Sequence, residues 1–235
     1  MNSCPESTNH RTLVKICGLR RPQDAEAANR VLPDFAGFIL STGFRRSISP
    51  EQALTLRNIL DPQIRTVGVF VDEPLESLIR IARSGCIDMV QLHGHESDTA
   101  IAEIAAMTGL PMIRSFRISG RADLIAAASS SADWVLLDSG AGTGQSFDWE
   151  MLEQFLREEG SGGRTPCLNL FPGGHPWFLA GGLSAENAGE AVRRLCPTAV
   201  DVSSNVETDG WKDPAKMEAF VKAVRTRRRA GSSRR

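Results

Sequence analysis

The sequence predicts a single α/β domain in which eight parallel strands close into a (β/α)8 barrel surrounded by helices. Short apolar runs alternate eight times with amphipathic stretches along 235 residues, about one unit per 29 residues. No change of composition divides the chain, and α/β barrels of about 200 to 250 residues form one domain. An open doubly wound sheet is the alternative, but no Gly-x-Gly-x-x-Gly motif follows the first run.

Each repeating unit contains one predicted strand and one predicted helix. The strands are predicted at residues 13–17, 35–40, 65–71, 89–93, 111–116, 134–138, 177–180 and 199–203. The helices are predicted to begin near Pro22, Pro50, Pro74, Ser97, Gly120, Phe147, Ser184 and Asp213. Two starts are especially clear, because Ser49 and Asp213 each place a capping side chain just before a proline.

One segment, residues 159–176, interrupts this rhythm with five glycines and three prolines. It joins the sixth helix to the seventh strand, which places it on the N-terminal face of the barrel, opposite the face that carries active sites in this fold. We therefore interpret it as a surface insertion. The barrel itself is assigned to residues 12–224, with a flexible N-terminus at 1–11 and a basic, disordered tail at 225–235.

Charge and cysteine content exclude several classes of protein. The chain has 27 basic and 28 acidic residues, and six of the basic ones are arginines in the last eleven residues. Without that tail, 21 basic residues face 28 acidic ones, so binding to nucleic acid is not expected and the tail is interpreted as a frayed helix end. Five cysteines, with no Cys-x-x-Cys pair, no secretory leader and no apolar run of about 18 residues, predict a reduced, cytoplasmic protein without membrane contact.

The first strand carries two reactive side chains. Alternation along the strand places Lys15 and Cys17 on the inner face and the apolar neighbours on the face covered by helices. A buried lysine needs an acidic partner, and Asp201 on the eighth strand faces inward by the same alternation. Cys17 is either a small core thiol or a thiolate base whose pKa a nearby cation lowers from about 8.5.

Polar side chains also close the fourth and sixth strands. Gln91 and His93 share the inner face of the fourth strand, where they either contact a ligand or are satisfied structurally. Asp138 ends the apolar sixth strand just before a glycine-rich loop. It is a candidate general acid, because partial burial favours a protonated carboxyl group, and a turn-forming aspartate is the alternative.

The loops after the seventh and eighth strands are rich in glycine and serine. One contains Gly181 and Gly182, and the other contains Ser203, Ser204 and Asn205. Exposed backbone N–H groups in such loops bind phosphate, and phosphate sites in α/β barrels commonly use these two loops. Together they predict a phosphorylated small-molecule substrate.

Six sequence blocks follow one another in order between residues 13 and 224. They are Lys15-Ile16-Cys17-Gly18; Val67-Gly68-Val69-Phe70-Val71; Gln91-Leu92-His93-Gly94; Leu137-Asp138 with Gly142-Thr143-Gly144 and Phe147-Asp148-Trp149; Ala180-Gly181-Gly182-Leu183; and Asp201-Val202-Ser203-Ser204. In this order and spacing they resemble the phosphoribosylanthranilate isomerase family of tryptophan biosynthesis. The resemblance implies a (β/α)8 barrel that catalyses the Amadori rearrangement of N-(5-phosphoribosyl)anthranilate to 1-(2-carboxyphenylamino)-1-deoxyribulose 5-phosphate.

The resemblance also implies a role for each matching residue. Cys17 is the general base, Asp138 is the general acid, and Arg46 receives the anthranilate carboxylate, with Arg45 as the alternative. Phosphate binding falls to the loops that contain Gly142, Gly144, Gly181, Gly182, Ser203, Ser204 and Asn205. Gln91 and His93, placed on the inner face by alternation, are the further candidate substrate contacts. No cofactor or metal is expected, because the reacting nitrogen belongs to the substrate, and the protein is expected to be a monomer or homodimer.

Two alternatives and two departures accompany this interpretation. A histidine-pathway isomerase performs the same rearrangement, but its family has aspartate where Cys17 stands. A barrel that binds phosphate without catalysis is disfavoured by Cys17, Asp138 and Arg46 together.

Asn205 stands where the family usually has a glycine. Asparagine adopts left-handed backbone conformations more readily than most residues, so it is compatible with a phosphate loop at this position. Trp211 interrupts a Gly-basic-Lys-Asp run.

Overall fold

The computed structural model describes residues 11–140, 149–159 and 170–226. Its strands are β1 (Leu13–Cys17), β2 (Phe35–Ile39), β3 (Arg65–Phe70), β4 (Met89–Leu92), β5 (Met112–Arg117), β6 (Trp134–Asp138), β7 (Leu170–Phe171), β8 (His175–Ala180), β9 (Ala199–Val202), β10 (Glu207–Thr208) and β11 (Trp211–Lys212). Its helices are α1 (Pro22–Val31), α2 (Pro50–Ile59), α3 (Leu75–Ala82), α4 (Asp98–Thr108), α5 (Arg121–Ala128), α6 (Trp149–Glu159), α7 (Ala188–Leu195) and α8 (Pro214–Arg225). Every predicted strand and helix lies within a few residues of its predicted position.

Eight of these strands form the predicted closed parallel barrel. They follow the order β6-β5-β4-β3-β2-β1-β9-β8, and the ring closes because β6 also pairs with β8. All neighbouring barrel strands are parallel, so their C-terminal ends lie on one face. The doubly wound alternative is excluded, because its sheet would have two open edges.

Alternation along the strands divides the buried apolar residues into two cores. The larger core lies between the barrel and its helices and includes Val14 and Ile16 of β1. The smaller one, which we call the inner core, fills the barrel and consists of Phe35, Val67, Met89, Ile113, Leu136, Phe178, Ala180 and Ala199. Two of its rings, Phe35 and Phe178, pack edge to face at 5.3 Å.

The two predicted capping residues are confirmed, whereas α7 starts later than predicted. Ser49 and Asp213 each accept hydrogen bonds from backbone N–H groups of the first turn, at 2.9 to 3.2 Å. α7 begins at Ala188 instead of near Ser184. The reason is a turn before the helix, in which Asn187 Oδ1 accepts a hydrogen bond from Ser184 N at 2.8 Å.

The described part of the predicted insertion, 159–176, contains a short hairpin. β7 pairs antiparallel with the first residues of β8, so β8 begins at His175, two residues before the predicted start. Residues 160–169 lie outside the described residues. Because the hairpin adjoins the N-terminal end of β8, it lies away from the strand ends that face the site.

The two ends of the barrel domain are joined by side-chain contacts. α8 includes Arg225, the first residue assigned to the tail, whose Nη1 donates a hydrogen bond to Val31 O at 3.1 Å. Residues 1–10 and 227–235 are outside the described part of the chain. Within the described part, no helix combines the length and apolar character that crossing a bilayer requires.

Candidate active site

The two predicted catalytic residues lie at strand ends on the same face of the barrel. Cys17 ends β1 and Asp138 ends β6, and in the ring only β9 and β8 separate these strands on one side. The chain leaves β1 and β8 through Gly18 and Gly181, both with left-handed backbones at φ +83° and +85°. A Cβ atom at Gly181 would lie 2.8 Å from Asp138 Oδ1, so glycine allows the β8 loop to approach this carboxylate.

Cys17 faces the barrel interior and is only 6% exposed. Its sulfur packs against Gly37 of β2, where a Cβ atom would come within 2.7 Å of Sγ. Burial raises the pKa of the Cys17 thiol, and the nearby Lys15 ammonium opposes that rise without reversing it. The lowered pKa of the thiolate alternative is therefore not found, because desolvation of the thiolate outweighs its attraction to the nearby cations.

The predicted pairing of Lys15 with Asp201 is confirmed. Lys15 is fully buried, and its Nζ donates a hydrogen bond to Asp201 Oδ1 at 3.1 Å. The two residues also stand opposite each other in the parallel register of β1 and β9. Burial lowers the pKa of Lys15, but attraction to Asp201 and Cys17 outweighs burial and raises it, so the ammonium stays charged at neutral pH.

Asp138 makes a turn with one oxygen and faces a histidine with the other. Its Oδ1 accepts a hydrogen bond from Gly140 N at 2.8 Å, as expected of a turn-forming aspartate. Its Oδ2 lies 3.8 Å from His93 Nε2, and a quarter of the side chain is exposed (25%). The turn therefore leaves one carboxyl oxygen directed towards the loop after β4.

Gln91 and His93 lie on the inner face as predicted, but at different depths. Gln91 is buried, its Nε2 donates to Ser115 Oγ at 3.0 Å, and the same nitrogen lies 3.3 Å from His93 Nδ1. Its Oε1 is buried and has no hydrogen-bond partner among the described residues. His93 exposes 38% of its side chain. This geometry gives His93 access to a ligand and gives Gln91 a position from which it orients the imidazole.

Arg46 lies over the end of β1. A Cβ atom at Gly18 would be 2.6 Å from Arg46 Cδ, and the guanidinium donates from Nε and Nη2 to the two oxygens of Glu207 at 2.6 and 3.0 Å. Arg45 donates to the same carboxylate at 2.7 Å, but more than half of its side chain is exposed. Arg46 packs against Gly18, the residue after Cys17, and is the less exposed of the two arginines, which favours it over Arg45 as a substrate contact.

Glu207 is the centre of a buried charge cluster, formed with Arg45, Arg46 and Lys212. Lys212 Nζ donates to Glu207 Oε1 at 2.9 Å, and both side chains are almost fully buried. Burial raises the pKa of Glu207, but hydrogen bonds from Arg46 and Lys212 outweigh it and bring the pKa to about 2. Three cations meet one carboxylate here, so the cluster carries excess positive charge suited to an anionic ligand.

The two predicted phosphate loops are linked to each other and to β1. Ser203 Oγ donates to Cys17 O at 3.1 Å, and Asn205 Nδ2 donates to Leu183 O of the loop after β8 at 2.9 Å. Asn205 lies in a short 3-10 helix, Ser204–Val206. The expected left-handed conformation at Asn205 is therefore wrong, and its side chain bridges the loops instead.

The remaining predicted phosphate-binding residues are only partly covered by the structure. Gly182 has a left-handed backbone at φ +70°, and Gly182, Ser204 and Asn205 are exposed. Gly142 and Gly144 lie outside the described residues. Their predicted part in phosphate binding stays a prediction.

Comparison with known proteins identifies the family. Residues 14–223 match the family model described as N-(5'phosphoribosyl)anthranilate (PRA) isomerase. The chain belongs to this family. A PRA isomerase of Thermoanaerobacter sp. (strain X514) is 40% identical over 217 residues, which are 90% of this chain and 97% of the relative.

Solved structures of PRA isomerases share the fold. The enzyme of Thermus thermophilus has a TM-score of 0.75 and 32% identity, and the match covers 91% of this chain and 98% of that one. A further PRA isomerase structure, with a TM-score of 0.75, 30% identity and the same coverage, contains reduced 1-(O-carboxyphenylamino)-1-deoxyribulose 5-phosphate. The predicted fold and family are thus confirmed.

The hairpin of β10 and β11 carries the part of this PRA isomerase site that sequence analysis missed. Glu207 and Lys212 stand opposite each other in its antiparallel register. Each strand has only two residues, so no alternation of polar and apolar positions marked them in the sequence. Trp211, noted as a departure, is exposed on this hairpin, and Arg20 and Arg21 stack over its ring at 4.1 and 4.3 Å.

Proposed function

We propose that this PRA isomerase converts N-(5-phosphoribosyl)anthranilate to 1-(2-carboxyphenylamino)-1-deoxyribulose 5-phosphate by an Amadori rearrangement. The observation that carries the proposal is the placement of Cys17 and Asp138 at the C-terminal ends of β1 and β6, around one barrel mouth. Membership of the family supports the same substrate. The positive cluster around Glu207 beside Cys17 suits a substrate that carries a carboxylate.

Asp138 is the proposed general acid. Ring opening breaks the bond between C1 and the ribofuranose ring oxygen, and this oxygen must gain a proton as the bond breaks. Asp138 Oδ2 is the oxygen suited to deliver that proton, since Oδ1 is engaged by Gly140 N. The substrate nitrogen donates its electron pair to C1, so the product of this step is an iminium ion with a free hydroxyl on C4.

Cys17 is the proposed general base. The iminium ion makes the hydrogen on C2 acidic, and the Cys17 thiolate removes it to give an enolamine and a thiol. The enol then returns a proton to C1, which leaves a ketone at C2 and completes the rearrangement. The electron sink is the substrate's own nitrogen, so the proposed chemistry uses no cofactor and no metal.

Arg46 is the proposed contact for the anthranilate carboxylate. A guanidinium has five N–H donors, and Glu207 engages Nε and Nη2, which fixes the orientation of the plane. The remaining donors of Arg46 are thereby held at the mouth beside β1. A bidentate arginine–carboxylate contact would then place the aromatic ring over the barrel.

The substrate phosphate is proposed to bind at the two glycine- and serine-rich loops of the mouth. The loops after β8 and β9 supply backbone N–H groups at Gly181, Gly182, Ser203, Ser204 and Asn205, and Gly142 and Gly144 are proposed to complete the site. Asn205 holds the two loops together through Leu183 O. His93 is proposed to contact the ribose hydroxyls, with Gln91 orienting its ring.

The proposed partners are limited to the phosphorylated substrate and at most a second copy of the chain. We propose a cytoplasmic monomer or homodimer that does not bind nucleic acid. The acidic charge of residues 1–224 supports the last point, because phosphate backbones bind basic surfaces.

The test is a fluorescence assay that follows loss of N-(5-phosphoribosyl)anthranilate with the purified full chain. We expect turnover by the wild type and about 10²- to 10⁴-fold lower kcat in Cys17→Ala and in Asp138→Asn, the range that general acid–base catalysis contributes. Circular dichroism checks that both variants keep the fold. Full turnover by folded Cys17→Ala would overturn its role as base, and absence of wild-type turnover would overturn the proposed activity.

A further inference from the structure

Lys15 is a buried charge that the proposed reaction does not use. It is fully buried, and it lies two residues before Cys17 on the same inner face of β1. A buried ammonium is costly even when it is paired, and an apolar side chain of similar volume commonly stabilises such a position as well. A stabilising role alone therefore gives no reason for lysine at the centre of the mouth.

The surroundings of Lys15 direct its charge to two acceptors. Its Nζ donates to Asp201 Oδ1 at 3.1 Å, and Lys15 is the side chain next to Cys17 on the inner face of β1, so its charge favours the thiolate. Asp201 is slightly exposed and Lys15 is not, so water screens the carboxylate more than the ammonium. The ammonium is thus held between the Asp201 carboxylate and a thiol that becomes an anion only when it ionises.

The other charged groups around the sulfur do not replace Lys15. Lys212 of β11 also attracts the thiolate, but its ammonium is occupied by Glu207 and Ser203 O, each at 2.9 Å. Asp201 on β9 repels the thiolate. On the β2 side, Gly37 contributes only backbone against Sγ. Lys15 is therefore the main source of positive charge for Cys17.

We propose that Lys15 is a positioning residue whose ammonium stabilises the thiolate form of Cys17, and that Asp201 limits how much of that charge reaches the sulfur. The consequence for catalysis rests on the proposed function, in which the Cys17 thiolate takes the proton from C2. The electrostatic relation between Lys15 and Cys17 does not depend on it. Removing the ammonium should disfavour the thiolate, and removing the carboxylate should favour it.

The experiment titrates the Cys17 thiolate by its absorbance at 240 nm. The signal is the difference between each protein and its Cys17→Ala counterpart, and the chain has no tyrosine whose ionisation would obscure it. We expect Lys15→Met to move the titration midpoint up by about one pH unit or more, a tenfold loss of thiolate at a given lower pH. We expect Asp201→Asn to lower the titration midpoint. Lys15→Arg, which keeps a positive charge, should leave the midpoint near the wild-type value.

Activity gives a second readout with a distinct signature. In Lys15→Met the kcat–pH profile should shift upward with the midpoint, while KM changes little, because Lys15 lies below the residues proposed to hold the substrate. An unchanged or lower midpoint in folded Lys15→Met would overturn the proposal. If Lys15→Met does not fold, the Asp201→Asn variant tests the proposal instead. A Cys17 titration midpoint that does not fall in Asp201→Asn would overturn the proposal. Full turnover by Cys17→Ala would overturn only the role of Cys17 as base, since the absorbance titration would still measure the effect of Lys15.

Discussion

The barrel interior contains two layers of opposite chemistry, built by the same strands. The inner core is apolar, and the layer above it at the mouth is polar. Met89, Ile113, Leu136 and Ala199 of the inner core are followed two residues later by Gln91, Ser115, Asp138 and Asp201. Because side chains alternate along a strand, a step of two residues stays on the inner face and moves one layer towards the C-terminal ends.

This difference separates stability from function along each strand. The inner core contributes buried apolar area and ring contacts, whereas the mouth layer contributes charges that are expensive to bury. The mouth layer persists because its charges satisfy one another, as Lys15 with Asp201 and Glu207 with Lys212 show. Substitutions in the two layers should therefore have separable effects.

The largest expected effect is the loss of an inner-core ring. Phe178→Ala removes a fully buried side chain that packs on Phe35 and Trp134, and should lower the free energy of unfolding by about 3 to 5 kcal/mol. In urea unfolding the midpoint should fall, while kcat per folded molecule stays near the wild-type value. Asp138→Asn is the matched variant from the mouth, with the opposite pattern. A loss of kcat without loss of stability in Phe178→Ala would contradict the separation of the layers.

Glu207→Gln should give the next largest effect, and that effect should depend on pH. The pKa of Glu207 is about 2 in the folded protein, against an ordinary value of 4.5, so its ionisation stabilises the fold at pH above 4.5, by up to about 3 kcal/mol. This contribution is lost as the pH falls from 4.5 towards 2. Urea unfolding of wild type and variant should therefore differ most at neutral pH and converge on acidification. Glu26→Gln, an exposed site on α1, is the control and should show no such convergence.

A smaller effect is expected at Gly37 of β2, which lies against the Cys17 sulfur. Gly37→Ala would place a Cβ atom 2.7 Å from Cys17 Sγ, so the thiol must move, at a cost of about 1 to 3 kcal/mol in stability. We expect kcat to fall and KM to change little, because the substituted position contacts the thiol and not the arginine cluster. Gly43→Ala is a useful comparison, since a Cβ atom there meets nothing within 4 Å, although its left-handed backbone adds local strain. An unaffected kcat in Gly37→Ala would show that the thiol position is not critical.

The smallest effects should distinguish the two arginines. Arg46→Ala should raise KM about tenfold or more, whereas Arg45→Ala should change KM only a few-fold, because its exposed charge is screened by water. Steady-state kinetics on the two variants makes the comparison directly. Equal changes in KM would remove the preference for Arg46, and reversed changes would assign the anthranilate carboxylate to Arg45.

The sequence alone predicted the features that depend on local pattern. It did not predict those that depend on interactions between residues far apart in the chain. The eight strands, the inward alternation of Lys15 and Cys17, and the pairing with Asp201 all follow from periodicity and closure of one barrel. The pKa of Cys17 depends on how far desolvation outweighs the charges of Lys15 and Lys212, which no spacing in the sequence encodes. Glu207 and Lys212 could not be found because they act from a two-residue hairpin, and the bridge from Asn205 to Leu183 O joins loops that are adjacent only in space.

The stacking of Arg20 and Arg21 over Trp211 places a fluorescent side chain on the hairpin of the charge cluster. Trp211 is exposed, whereas Trp177 is fully buried and the other two tryptophans are partly covered. Its strand also carries Lys212, whose ammonium contacts Glu207. A carboxylate bound by the remaining donors of Arg46 would contact a side chain that Glu207 of the same hairpin holds in place. We therefore expect the emission of Trp211 to change when the mouth is occupied, which would follow binding without a label and independently of turnover.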